Sequence, residues 1–177
     1  MNIKKIVIAI ISCAIVGMSV NASPWKIQKN QDAITDELSY YVYSTGSKIN
    51  ILPYVSYRPD LVIKICPKSG KRSKGLSYIA DVMISIEDEG LTRDQTEIIT
   101  RYDRQPASTE TWLTSTDRRA AFAPNWKSTL SKLRAATNLT VRYQTTLGHI
   151  RTTSFDVSGL TNAINQVKSQ YLADRKL

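Results

Sequence analysis

The segment Asn125–Leu172, which reads NWKSTLSKLRAATNLTVRYQTTLGHIRTTSFDVSGLTNAINQVKSQYL, decides the fold. At its start Trp126, Leu130 and Leu133 recur at i, i+4 and i+7, the spacing of one helix face. Pro124 suits the first turn of this helix, because the N–H that proline lacks has no partner there in any case. The pattern predicts an amphipathic helix with one apolar side.

A β-hairpin is predicted next, because from Asn138 the apolar residues recur with a period of two. Gly148 lies in the turn, and the return strand repeats the alternation. Leu139, Val141 and Tyr143 are predicted to share one face of the first strand, and Thr153, Phe155 and Val157 one face of the return strand.

A second helix closes the segment. Ser158 is predicted to be its N-cap, because a serine hydroxyl accepts a hydrogen bond from an unpaired N–H of the first turn. Its apolar positions are Leu160, Ala163, Ile164, Val167 and Tyr171. Such a regular apolar stripe is expected to lie on a sheet.

The N-terminus has the pattern of an export signal. Lys4 and Lys5 precede the apolar run Ile6–Val20, and Val20-Asn21-Ala22 matches the small-residue cleavage site. We expect cleavage after Ala22, which leaves residues 23–177 as a single periplasmic domain. The alternative is a lipoprotein lipidated at Cys13, since Ile10-Ile11-Ser12-Cys13 resembles a lipobox.

The chain is basic, with a formal net charge of +9. Net charge bears on association and solubility. In an exported protein, a moderate positive excess is most often only a soluble surface; if it marks a ligand, it favours anionic glycans or lipids of the envelope over nucleic acid. Cys66 is the single cysteine of the processed chain, so no intramolecular disulfide is expected. It alternates with Val62 and Lys64 in a strand pattern and is predicted to be buried; the alternative is pairing with another molecule.

The region before the segment predicts a sheet. Strands are expected to begin at Trp25 and at Leu38, Asn50–Pro59 is predicted to be a connecting loop, and Asp60–Phe122 a meander of antiparallel strands. With the two later helices, this predicts an α+β fold: an antiparallel, β-sandwich-like sheet with two helices in the C-terminal half.

Two groups of residues are candidate sites. The first is the basic cluster Lys68, Lys71, Arg72 and Lys74 in a Ser/Gly-rich loop, which is either a solvated turn or an anion-binding finger. The second is the tyrosine group Tyr40, Tyr41 and Tyr43, which in a strand presents aromatic rings on both faces. These rings are either core residues or a partner-binding edge.

Catalytic and metal-binding motifs do not stand out. His149 is the one histidine and is predicted to be exposed at a turn, and no G-x-S-x-G nucleophile elbow occurs. The acidic run Glu87-Asp88-Glu89 lacks the spacing of an EF-hand. We therefore predict a protein that is not an enzyme and that uses no cofactor or metal.

The order of landmarks resembles a known family. These landmarks are Trp25 after an export signal, Leu61-Val-Ile-Lys-Ile-Cys66, Arg101-Tyr-Asp103, Trp112 with Ser115, and Phe155-Asp-Val-Ser-Gly-Leu160 before an amphipathic helix. Together they resemble the type VI secretion-associated TagO/VasI family of periplasmic proteins. Members of such families often carry a second cysteine at the end of the last helix, where this chain has Ser169-Gln170-Tyr171-Leu172.

The resemblance implies an exported envelope accessory protein that acts by protein–protein contact. The alternatives are a phage- or plasmid-type exclusion factor, an inhibitor of a wall enzyme, or a binder of an anionic envelope ligand through the basic loop. An envelope protein is the expected partner, and the oligomeric state is left open.

Overall fold

A computed structural model describes residues 23–34, 37–67, 78–86 and 89–174. Two sets of predictions lie outside these residues. One is the export signal, with cleavage after Ala22 and the alternative of lipidation at Cys13. The other is the basic cluster Lys68, Lys71, Arg72 and Lys74.

The described chain forms eleven strands and two helices. In chain order they are β1 (Trp25–Gln31), β2 (Leu38–Thr45), β3 (Ile49–Leu52), β4 (Val55–Tyr57), β5 (Asp60–Pro67), β6 (Tyr78–Ser85), β7 (Gln95–Tyr102), β8 (Ser108–Thr114), β9 (Ala120–Phe122), α1 (Trp126–Ala135), β10 (Asn138–Gln144), β11 (Ile150–Asp156) and α2 (Leu160–Asp174).

Nine strands form one antiparallel sheet in the order β1-β2-β5-β6-β9-β8-β7-β10-β11, and β3 pairs with β4 in a separate hairpin. Both helices lie in the C-terminal half. The predicted α+β class, a large antiparallel sheet with two late helices, is therefore confirmed. Neither helix is long and apolar enough to cross a membrane, a finding that covers the described residues alone.

The strand order differs from the predicted meander, because β6 lies beside β9 instead of β7. After β6 the chain reaches Leu91, which forms an isolated bridge with Thr145 just beyond β10. Strand β7 then pairs with β10, and β8 and β9 lead back to β6. The prediction of a meander over Asp60–Phe122 is wrong in this respect, since alternation identifies the buried face of a strand but not its neighbours.

The core is built from alternate residues of the strands and from one stripe of each helix. Val42, Ile63, Val82 and Val141 are fully buried on the inner face of the sheet. Helix α1 packs against β6 and α2 against β1 and β2. The predicted helix stripes are confirmed: the buried residues include Leu130, Leu133, Leu160, Ala163, Ile164, Val167 and Tyr171.

The far end of the sheet folds back onto β2. The backbone N–H of Ser47 donates to the carbonyl oxygen of Ser154 at 2.8 Å, and the Ser44 hydroxyl donates to the carbonyl oxygen of Asp156 at 2.9 Å. The indole N–H of Trp25 donates to the carbonyl oxygen of Ser158 at 2.9 Å. These contacts join the N-terminal strands to β11 and curve the sheet around its core.

Residues Asn50–Pro59, predicted to be a loop, instead contain most of the β3–β4 hairpin. The prediction is wrong because Pro53 stands at the turn, where proline does not interrupt pairing. The hairpin is anchored at its base, where the hydroxyls of Tyr57 and Tyr143 hydrogen-bond to each other. At its tip Tyr54 is 99% exposed.

Two predicted helix starts are also corrected. Asn125, not Pro124, marks the start of α1: its side-chain oxygen accepts from the backbone N–H of Ser128 at 3.1 Å. Ser158 does not cap α2, which begins at Leu160. Its hydroxyl donates to Asp156 Oδ1 at 2.6 Å, because the carboxylate two residues earlier is a stronger acceptor within reach.

Candidate functional site

The outer face of the sheet, opposite the core, carries a continuous apolar row. Its members are paired from strand to strand: Tyr43 with Val62, Val62 with Met83, Met83 with Phe122, and Phe122 with Leu113. We call these five residues the outer apolar row. They face outward because their neighbours along each strand, including Val42, Ile63 and Val82, fill the core.

The outer apolar row crosses five neighbouring strands, β2, β5, β6, β9 and β8. At the usual spacing between strands this is a strip about 19 Å long. Its side chains are partly buried, except that of Leu113, which is 54% exposed. Aromatic and Met side chains of this kind are typical of protein interfaces.

The structure separates the three predicted tyrosines. Tyr41 and Tyr43 lie on the outer face and are partly exposed, whereas Tyr40 is fully buried on the inner face. Lys64 stands 6.0 Å from the centre of the Tyr41 ring and Lys26 stands 5.8 Å from that of Tyr43. The two outer rings therefore have cations on their faces.

Tyr40 is buried and forms a hydrogen bond that links β2 to the end of α2. Its hydroxyl donates to Asp174 Oδ2 at 2.9 Å, and the same carboxylate oxygen lies 2.9 Å from Lys29 Nζ. Burial, and then the hydrogen bond to Asp174, raise the pKa of Tyr40. Tyr40 thus holds the end of α2 to the sheet and presents no surface to a partner.

Cys66 also lies on the outer face, two residues beyond Lys64, and it is free and partly exposed. The prediction that it is buried is wrong. Val62, Lys64 and Cys66 do share one face of β5, as their alternation indicated. That face is the outer one, because Leu61, Ile63 and Ile65 occupy the buried face.

A groove of about 550 Å³ lies further along the outer face, over β8, β7, β10 and β11. Gln95, one of its lining residues, pairs with Leu113, so the groove begins where the outer apolar row ends. The lining residues are Thr92, Gln95, Thr96, Glu97, Ile99, Thr111, Arg142, Tyr143, Gln144 and Ile150. We call it the outer groove.

A polar cluster around Glu89 holds the hairpin that forms one wall of the outer groove. The Glu89 carboxylate accepts from Thr145 Oγ1 at 2.7 Å and lies 2.8 Å from His149 Nδ1 and 3.4 Å from Arg151 Nη2. These contacts, the Thr145 hydrogen bond first, lower the pKa of Glu89. The His149 side chain is 54% exposed, in agreement with its predicted position at a turn.

Sequence reasoning missed both the Glu89 cluster and the outer groove. About sixty residues separate Glu89 from the β10–β11 hairpin, and the Leu91–Thr145 bridge that joins the two segments has no local signature. The outer groove draws residues from 92 to 150 for the same reason.

Groups of three or more His, Cys, Asp or Glu side chains able to hold a metal ion are absent from the residues that the structure describes. Comparisons of the chain with protein-family models, with curated proteins and with solved structures gave no match.

Proposed function

We propose that this chain is an exported envelope protein that acts by contact with a partner protein, without catalysis. The observation that supports the proposal is the outer apolar row, a line of five outward side chains that includes Tyr43, Met83 and Phe122. Packing of the core on the inner face of the sheet does not require apolar side chains on the outer face. A contiguous outward line of apolar side chains marks a binding surface when it is large enough.

The chemistry of the surface indicates the partner. Lys26 and Lys64 stand over the two outer tyrosine rings at one end of the row, and the whole chain has a formal net charge of +9. We infer a partner surface that is apolar at its centre and acidic at its rim, because opposite charges at the rim favour encounter.

The outer apolar row alone is too small to form a standard protein–protein interface. A standard interface buries about 800 Å² on each partner, which is more than a strip one residue wide and about 19 Å long provides. The partner must therefore also cover the adjacent outward residues. On β2 and β5 these are Tyr41 and Lys64, which pair directly with each other.

The export signal pattern and the resemblance to type VI secretion-associated proteins point to a partner in the cell envelope. An exclusion factor or a wall-enzyme inhibitor would use the same kind of contact with a different partner. These readings differ in what the outer apolar row binds, so identifying that partner separates them.

The first experiment places a photo-crosslinking residue at Phe122 of a tagged full-length chain in its native envelope, and identifies adducts by mass spectrometry. A matched control carries the crosslinker at Thr152, an exposed outward position on β11 away from the row. Secretion-machine subunits captured from Phe122 would support the family reading, and a wall hydrolase or phage receptor would support inhibition or exclusion.

Equal capture from both positions, crosslinking only to a second copy of the chain, or no protein adduct at Phe122 would refute the proposal. A double variant, Val62→Lys with Phe122→Lys, should weaken binding of the captured partner more than tenfold. The control Thr109→Lys with Gln170→Lys should leave binding and the thermal midpoint unchanged, because both side chains are exposed and lie outside the outer apolar row.

The predicted alternative, anion binding through the basic cluster, makes a different prediction. Changing Lys68, Lys71, Arg72 and Lys74 to Ser should abolish binding to anionic lipid or glycan without unfolding the domain. Binding through the basic cluster should fall with added salt, whereas contact through the outer apolar row should survive it. Unchanged low-salt binding by the serine variant would remove this alternative.

A further inference from the structure

The outer groove has the size of a small-molecule site. Its volume of about 550 Å³ falls in the range of known ligand pockets, which is about 300–1,000 Å³. It is formed by neighbouring strands of one sheet, so its lining is held by the backbone pairing of β8, β7, β10 and β11. The site adjoins the outer apolar row but shares no residue with it, and it does not depend on the proposed function.

Two opposite charges face the outer groove without pairing with each other. Arg142 stands directly opposite Ile99, and Glu97 lies two residues before Ile99 on the same face. This diagonal arrangement places their Cβ atoms about 7 Å apart. Within the described chain neither side chain forms an ion pair, although both are exposed.

The arginine is already oriented. Arg142 Nε donates to Thr152 Oγ1 at 3.3 Å, which leaves the two terminal nitrogens of the guanidinium to meet a ligand. Those terminal donors match the two oxygens of a carboxylate, which arginine binds in a bidentate manner. Glu97 is an acceptor that suits an ammonium group.

The remaining lining suits the body of a peptide. Ile99 and Ile150 supply apolar surface, and Ile150 is 68% exposed. Gln144 Nε2 donates to the Gly148 carbonyl oxygen at 3.1 Å, which leaves the Gln144 side-chain oxygen free to accept from a peptide N–H. Gln95 provides a second amide.

We propose that the outer groove binds a short peptide with free termini, its carboxylate on Arg142, its ammonium on Glu97 and its apolar side chain against Ile99 and Ile150. A purely anionic ligand would be repelled by Glu97 and a purely cationic one by Arg142. A chain rises about 3.5 Å per residue, so the length of a dipeptide matches the roughly 7 Å between the Cβ atoms of the two charged residues.

The Glu89 cluster positions one wall of this site. Thr145, His149 and Arg151 all contact the Glu89 carboxylate. Gln144 immediately precedes Thr145, and Ile150 lies between His149 and Arg151. Glu89 is therefore a positioning residue, which fixes the hairpin on which Gln144 and Ile150 stand.

Titration calorimetry of the purified full-length protein at low salt tests the proposal. The probes are L-Ala-L-Leu, its N-acetyl form and its C-terminal amide, with D-Ala-D-Ala as a second dipeptide. Each blocked form should bind more than tenfold more weakly than the free dipeptide. Preference for the D,D probe would indicate a cell-wall peptide as the source, and preference for the L,L probe a protein-derived one.

Two variants assign the termini. Arg142→Gln should bind the free acid and the amide equally, and Glu97→Gln should bind the free amine and the acetylated form equally. Thr109→Ala, outside the lining, is the control and should behave as the parent. If neither dipeptide binds the folded parent at millimolar concentration, or the blocked forms bind it as well as the free ones, the proposal is wrong.

Discussion

Asp103 connects the end of β7 to the start of β10 through a single side chain. Its carboxylate accepts from the Thr137 hydroxyl at 2.8 Å, and from the backbone N–H groups of Thr137 and Asn138. Asp103 itself has a positive φ of 48°, a conformation that aspartate tolerates better than most residues. The Thr137 hydroxyl first, and then the two N–H groups, lower the pKa of Asp103.

These contacts predict a dependence of stability on pH. Since the pKa of Asp103 is lower in the folded state, its carboxylate stabilises the fold above the unfolded value of about 3.9. That contribution is lost as the pH falls through the folded pKa. Asp103→Asn should therefore lower the urea midpoint at pH 7, and the difference from the parent should shrink by pH 3.

A matched control accompanies that measurement. Glu97→Gln removes a carboxylate that is exposed and accepts no hydrogen bond from the described residues. Its urea midpoint should equal that of the parent at both pH values. A deficit of Asp103→Asn that is as large at pH 3 as at pH 7 would show that the side chain acts by shape instead of charge.

At the scale of elements, the start of α1 depends on one cap. The Asn125 side-chain oxygen accepts from the N–H of Ser128 at 3.1 Å, and this pairs a donor that the helix itself leaves unpaired. Asn125→Ala should lower the free energy of unfolding by about 1 kcal/mol. Asn125→Asp keeps the acceptor and should retain most of the stability in urea unfolding; equal losses for the two variants would contradict the cap.

The sequence predicted elements well where period and length agree. The helix that buries Leu133 and the hairpin that buries Val141 were predicted because each has a run of apolar residues at one clear spacing. The β3–β4 hairpin was missed, because its strands are short and its tip residues Leu52 and Tyr54 are exposed. When the apolar residues of a short strand do not face the core, their spacing in the sequence does not reveal the strand.

At the scale of the whole molecule, the order of the strands in the sheet could not be predicted from the sequence. Nothing local indicates that Leu91 pairs with Thr145, and this bridge places β7 beside β10 and brings Glu89 to His149. The tyrosine group was predicted as a set of aromatic residues on both faces of a strand. Only the structure shows that Tyr43 lies on the outer face, in one row with Phe122. Three strand pairings connect the two residues through Val62 and Met83.

The closure of the sheet depends on Gly46, where the folded-back strands leave no room for a side chain. A Cβ atom at this position would lie 2.6 Å from Thr153 Oγ1, 2.9 Å from Phe155 Cε1 and 3.1 Å from the Pro59 carbonyl oxygen. Two of these atoms belong to β11, so Gly46 is where the folded-back sheet comes closest to the N-terminal strands. Gly46→Ala should therefore lower the free energy of unfolding by about 3 kcal/mol, through overpacking in a filled core.

Gly159→Ala is the comparison that separates crowding from backbone strain. Gly159 has a positive φ of 72°, but nothing lies within 4 Å of the Cβ that alanine would add. Its cost should be only that of a left-handed alanine, about 1 kcal/mol. Urea unfolding of both variants measures the difference. If Gly46→Ala is the milder change, the contact of Gly46 with Thr153 and Phe155 does not close the sheet, and the hydrogen bonds of Ser44 and Ser47 to β11 must hold it alone.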